Sequence, residues 1–292
     1  MNIGHVFRSL RPSQWTKNLF VFAALVFARK ILDGPLVLRT LAAFGIFCLL
    51  SGSIYLVNDV LDYEEDRIHP KKSRRPIAAG LIRRGPAAGM AVVLAAVSLA
   101  CAFILSPGFF IAGAVYFVLQ IAYSIKLKHV VILDVFIVAS GFVIRVVAGG
   151  LVIRVPLSSW ILICMTLLAL FIALSKRRHE IVLLEENASA HRPILKEYSA
   201  YLLDQMISVV TASTVIAYCL YTVSEDTVKK LGTSDLIYTM PFVLYGIFRY
   251  LYLVHKKGEG GSPEELILKD KPLALSVLLW IATAVGILYI FK

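Results

Sequence analysis

A succession of apolar runs, each close to the length of a bilayer crossing, constrains this chain more than any other feature. A membrane helix needs about 20 mainly apolar residues, and in hydrocarbon its backbone must satisfy its own hydrogen bonds. Nine runs fit: roughly 17–33, 36–58, 87–106, 108–124, 130–152, 157–175, 204–222, 235–254 and 272–291. Only "SPG" separates the third from the fourth, which predicts a tight hairpin. The chain is 59% hydrophobic and 17% charged, where a soluble domain is about a quarter charged. The predicted fold class is therefore an all-α polytopic membrane protein, a single membrane domain over 1–292. A net charge of +11 would suggest nucleic acid in a soluble protein; here it reads as cationic loops facing anionic lipid. Membrane lipids are expected as partners and nucleic acid is not. Most Lys and Arg fall in the N-terminal tail and in the loops after even-numbered spans. By the positive-inside rule those segments face the cytoplasm. The expected location is the plasma or inner membrane, and homo-oligomerisation stays open. The four cysteines show no metal or disulfide spacing, and "MNIGHVFRSLRPSQWTKN" is not a signal peptide.

One charge block stands out at a span end: "NDVLDYEEDRIHPKKSRRP", residues 58–76, directly after "LAAFGIFCLLSGSIYLV". Asp59, Asp62 and Asp66 are spaced i, i+3, i+7. At about 100° per residue they share an arc of roughly 60° on a helix continuing span two, with Asn58 beside them and Glu65 facing away. Three carboxylates on one face repel each other, and a divalent cation relieves this. Mg²⁺ suits carboxylate oxygens and keeps sites for water and phosphate. A plainer reading is a solvated helix end whose acids pair with Lys71, Lys72, Arg74 and Arg75. The single face and the adjoining amide favour the metal.

The pattern Asn58-Asp59-x-x-Asp62-x-x-x-Asp66 resembles the first aspartate-rich motif of the UbiA-type intramembrane prenyltransferase superfamily. The resemblance implies a nine-helix bundle with cytoplasmic cap loops, and Asn58, Asp59, Asp62 and Asp66 holding Mg²⁺ against a diphosphate leaving group. The chain departs from the pattern after span six. There "LSKRRHEIVLLEE" supplies Lys176, Arg177 and Arg178, with Glu180 the one acid close by, where a second acidic motif is usual. Fixed cations suit a donor richer in phosphate. "LRPSQWTKNLFVFAALVFA", "DRIHPKKSRRPIAAG", "YSIKLKHVVILDVFIVASGFVIRVVAGG" and "SKRRHE" together resemble the decaprenyl-phosphate phosphoribosyltransferase branch. That resemblance implies transfer of 5-phosphoribose from phosphoribosyl pyrophosphate (PRPP) to a polyprenyl phosphate. The alternative is an isoprenoid moved from its diphosphate onto an aromatic or other acceptor. A transporter would need broken or repeated helices, which are not evident.

The chemistry suits the residues. A phosphate monoester acceptor is largely ionised near neutrality and needs no general base, only cations and in-line positioning. Candidate phosphate contacts are Lys17, Lys72, Arg74, Arg75, the turn residues Tyr123, Ser124, Lys126 and Lys128, and the basic run with Glu180. Lys17 also reads as an interfacial anchor beside Trp15, and the basic run as ordinary positive-inside residues; Arg11 and Gln14 rank below Lys17. Asp134 and Arg145 share one face of span five, about 16 Å apart along its axis, too far to pair. Asp134 is a candidate catalytic group for a ribose hydroxyl or the metal; Arg145 would fix helices or meet the lipid phosphate. Arg249 reads as a snorkelling or packing residue. A short helix is predicted after Ser262, its N-cap, with Pro263 at its first position and Glu265 completing a capping box.

Overall fold

The structure, a computed structural model, describes residues 2–69, 72–186, 193–259, 266 and 269–290, with the backbone alone at 183–186, 193 and 290. The short helix expected at Ser262 lies outside the described residues. Every regular element among them is helical. Among the described residues, eight helices are long and apolar enough to cross a membrane. The chain forms two compact units, Met1–Leu157 and Ser158–Lys292.

In the first unit, α1 (Ile3–Ser9) precedes a long 3₁₀ segment, Pro12–Phe22, and the short α2, Ala23–Phe27. Then come α3 (Gly34–Leu61), α4 (Tyr63–Ile68), α5 (Arg84–Leu105), α6 (Pro107–Ile125) and α7 (Leu133–Ile153). Asp33 caps α3 by accepting from Leu36 N–H, with Gly34 and Pro35 opening the helix. The expected hairpin is present: Ser106 is extended, ends α5 and starts α6 before Pro107. α3 packs against α5, α6 and α7, around a core that includes Phe47, Leu50, Ile54, Phe109, Tyr116 and Val152.

The first predicted span takes a form the apolar pattern did not show. It is not one α-helix but the 3₁₀ segment followed by five α residues, a combined rise of roughly 30 Å. The reason is polar and steric. Asn18 is fully buried and accepts from Arg145 Nε at 2.7 Å, while its amide donates to Ser51 Oγ at 3.2 Å. A Cβ on Gly149 would overlap the Val21 carbonyl, so the segment lies directly on the α7 backbone. Arg11 and Arg29, both at positive φ, bound the segment. Lys30 N–H reaches Leu25 O, closing α2 with Arg29 where glycine is usual. The described residues thus carry eight long membrane helices where nine were expected.

The second unit holds α8 (Ser159–Glu186), α9 (Ala200–Val223), α10 (Glu225–Leu231), α11 (Met240–Lys256) and α12 (Lys271–Val285). α8 packs on α9, and α11 on both α9 and α12. Tyr218 joins elements through its hydroxyl, bonded to Thr239 Oγ1 at 2.6 Å and accepting from Trp280 Nε1 at 2.8 Å. α8 runs well past the predicted end at 175, so the basic run is helical rather than part of a loop. Lys, Arg and Glu are good helix formers, and Arg177 pairs with Glu180 one turn on. Of the two roles expected for Arg249, the packing one is seen. It does not simply snorkel but grips Asp270, the α12 cap, through Nε at 3.1 Å and Nη2 at 2.8 Å.

Candidate active site

The acid motif sits where α3 gives way to α4. Asp62, at φ −88° and ψ 14°, separates the two helices, so the predicted continuous helix is interrupted there. Asp59 and Asp66 are buried, whereas Glu65 is exposed, as its angular position required. Asp59 Oδ1 accepts from both Arg11 and Arg75, the latter at 3.1 Å. The same Arg75 Nη1 donates to Asp66 Oδ2, so one guanidinium nitrogen bridges two carboxylates. Asp62 turns to Lys128, which donates to its Oδ1 at 2.7 Å. Ser124 donates to Asn58 Oδ1 and lies 2.7 Å from Gln120 O. Four separate segments of the first unit therefore meet here: the N-terminal tail, the α3–α4 junction, the stretch after α4 and the α6–α7 connection.

The contacts of the plainer reading are partly present, since Arg75 reaches both buried acids and Lys72 Nζ is 3.7 Å from Asp66 Oδ1. Among the described residues, no three His, Cys, Asp or Glu side chains are gathered for a metal. The donors nonetheless fit Mg²⁺, which commonly takes one or two carboxylates and completes its shell with water and phosphate. Asp59 and Asp66 already converge on one cationic nitrogen. Asp66 Oδ1 is buried without a hydrogen bond, an oxygen of the kind a hard cation would take.

The other expected residues are placed as follows. Arg74 and Lys126 are exposed, while Lys17 and Tyr123 are half-buried. Asp134 is fully buried in the first turn of α7. Just before it, Ile132 has φ 71° and ψ −46°, and Leu133 N–H bonds to Val131 O at 2.8 Å. This is a γ-turn of the rare positive-φ kind, and backbone strain of this sort concentrates at functional sites. Arg145 is enclosed rather than open: it donates to Asn18, to Gly141 O at 2.7 Å and to Tyr116 Oη at 2.8 Å. Its guanidinium also lies near the Phe47, Tyr116 and Phe142 rings. Every acceptor in that set is neutral, and the arrangement joins the 3₁₀ segment to α6 and α7.

In the second unit, Arg177 is buried against Glu180, Lys176 is exposed, and Arg178 reaches across to Asp204 on α9. The sequence had pointed to the basic run but not to Asp204, and it had ranked Arg11 below Lys17. An isolated acid at a span edge, or an arginine before a proline, carries no spacing signal of its own.

The helical architecture and the acid cluster at a membrane-helix end define an intramembrane transferase class. The chain belongs to the UbiA prenyltransferase family, whose pattern it matches over residues 18–264. It is 37% identical over 298 residues, 98% of this chain and 93% of the relative, to the decaprenyl-phosphate phosphoribosyltransferase of Mycolicibacterium smegmatis. It is also 37% identical to the protein of that name from Corynebacterium glutamicum, over 97% of this chain and 86% of the relative. In fold it is similar to a UbiA homologue from Archaeoglobus fulgidus solved with DMAPP and Mg²⁺. The TM-score there is 0.72 at 19% identity, over 98% of this chain and 99% of the other.

Proposed function

We propose that this protein, acting as one transferase domain over 1–292, moves 5-phosphoribose from PRPP to a polyprenyl phosphate such as decaprenyl phosphate, with release of pyrophosphate. The observation that carries the reading is the pairing of acids and cations at the α3–α4 junction. Asp59 and Asp66 offer oxygens to Mg²⁺, with Asn58 and Asp62 alongside, while Arg11, Lys72, Arg75 and Lys128 stand within reach of the same carboxylates. The near-full-length likeness to the two decaprenyl-phosphate phosphoribosyltransferases supports the choice of donor.

In this reading the lipid phosphate oxygen attacks ribose C1 as the C1–O bond to pyrophosphate breaks. Bound Mg²⁺ supplies charge stabilisation for the departing pyrophosphate. The arginines and lysines now paired with carboxylates are set to meet phosphate oxygens, where charge-assisted bonds are strongest. Lys17, Arg74, Tyr123, Ser124 and Lys126 are candidates to extend the cradle, and Asp134 to hold a ribose hydroxyl. The basic run on α8 supplies cations for a further phosphate. The site faces the cytoplasm, where the basic loops are expected.

The test is pyrophosphate release from PRPP by purified protein in Mg²⁺, with and without a polyprenyl phosphate. Release that needs both substrates is expected. Release only from a polyprenyl diphosphate, in the presence of an aromatic acceptor, would establish the alternative chemistry instead.

A further inference from the structure

In the second unit a charged cluster is organised around a carboxylate outside both sequence motifs. Asp204, near the start of α9, binds Arg178 of α8 side-on: Oδ1 takes Nε and Oδ2 takes Nη2 at 3.3 Å. From the last turn of α11, His255 Nε2 lies 3.1 Å from the same Oδ1. The other ring nitrogen, Nδ1, is 3.0 Å from Leu251 O one turn back. Three helices thus converge on one carboxylate.

Here the side chains of Arg178, Asp204 and His255 are 15%, 34% and 36% exposed, and ion pairs this open contribute little to stability. What the arrangement does supply is orientation. Side-on binding through Nε and Nη2 fixes the guanidinium plane and leaves Nη1 without a bond among the described residues. An arginine held in this way presents its remaining donors as a fork suited to phosphate oxygens. Lys176, Lys256 and Lys257 are also exposed in this unit.

We propose that Asp204 and His255 are positioning residues that lock Arg178 in one orientation, making its outer edge a receptor for a phosphate monoester. The inference rests on the phosphoribosyl-transfer reading, in which the donor's 5-phosphate and the acceptor lipid's phosphate are both monoesters.

The test is direct binding of three probes to the purified full-length protein by calorimetry: ribose 5-phosphate, a short-chain polyprenyl phosphate and inorganic pyrophosphate. Asp204→Ala is expected to weaken one monoester probe about tenfold, the scale of one lost charge-assisted bond. Arg178→Ala should weaken the same probe at least as much, and His255→Phe by about threefold. Asp204→Glu should restore most of the affinity, and pyrophosphate binding should stay unchanged throughout. The affected probe identifies which substrate Arg178 serves; in turnover, KM for that substrate should rise with kcat held. An Asp204→Ala protein that melts earlier yet binds all three probes like wild type would overturn the proposal, leaving only a strut. Equal weakening of all three probes, or wild type binding neither monoester, would overturn it too. Binding requires no turnover, so these failures are distinct from a wild type that does not transfer phosphoribose.

Discussion

At the residue scale, Asp59 and Asp66 occupy an unusual electrostatic position, because two buried carboxylates share a single Arg75 nitrogen. Removing one partner of a buried ion pair leaves an uncompensated charge, a large penalty. Arg75→Gln should therefore lower the melting temperature without Mg²⁺ and recover part of the loss when Mg²⁺ is added. A thermal shift titration reads this, and equal Mg²⁺ responses in variant and wild type would contradict it. Asp59→Ala and Asp62→Ala should each reduce transfer by at least about 10²-fold, the scale of losing one preorganised electrostatic contact, while helical circular dichroism is unchanged. The acid spacing was legible in the sequence because one helical turn relates its members. Their partners were less so: Arg11 lies 48 residues from Asp59, and Lys128 lies 66 from Asp62. Periodicity carries no information over that distance.

At the element scale, apolar length foretold the long helices well and the first segment poorly. By hydropathy residues 17–33 read as a membrane span, yet a buried asparagine and a glycine on a distant helix determine their form. Gly149→Ala should force the 3₁₀ segment away from α7 and cost on the order of 1–3 kcal/mol, as overpacking does. Gly89→Ala, where an added Cβ meets nothing within 4 Å, is the control and should be near neutral. Comparative unfolding of the two variants checks this. Asp270 joins α11 to α12 by gripping Arg249, and it caps Leu273 N–H at 2.8 Å. The hydrogen bonds from Arg249 hold its carboxyl below the usual carboxylate range, outweighing partial desolvation. Its stabilising effect is therefore complete above the unfolded-state value near pH 3.9 and is lost as pH falls through the lower folded value. Asp270→Asn should be less stable than wild type at pH 7, and the difference should shrink below about pH 4. A pH series of melting temperatures measures this directly.

At the scale of the whole molecule, composition was enough for a polytopic helical protein, and the acid motif with the basic run was enough for a phosphate-rich transfer reaction. The division into two compact units was not visible, because no linker or change of composition marks Leu157. Nor did the sequence show that the basic run stays helical and reaches a carboxylate on the next helix, since such a contact follows from tertiary packing. Both charged clusters join acids to cations rather than segregating them. The central claim is that ribose, with its 5-phosphate, ends on the lipid. The most direct measurement uses PRPP labelled in both ribose and the 5-phosphate, incubated with purified protein, Mg²⁺ and polyprenyl phosphate, followed by extraction of the lipid. The account expects both labels in the lipid phase in equal amounts, dependent on Mg²⁺ and lost in Asp59→Ala. A lipid phase without label, under conditions where a polyprenyl diphosphate is consumed, would contradict it.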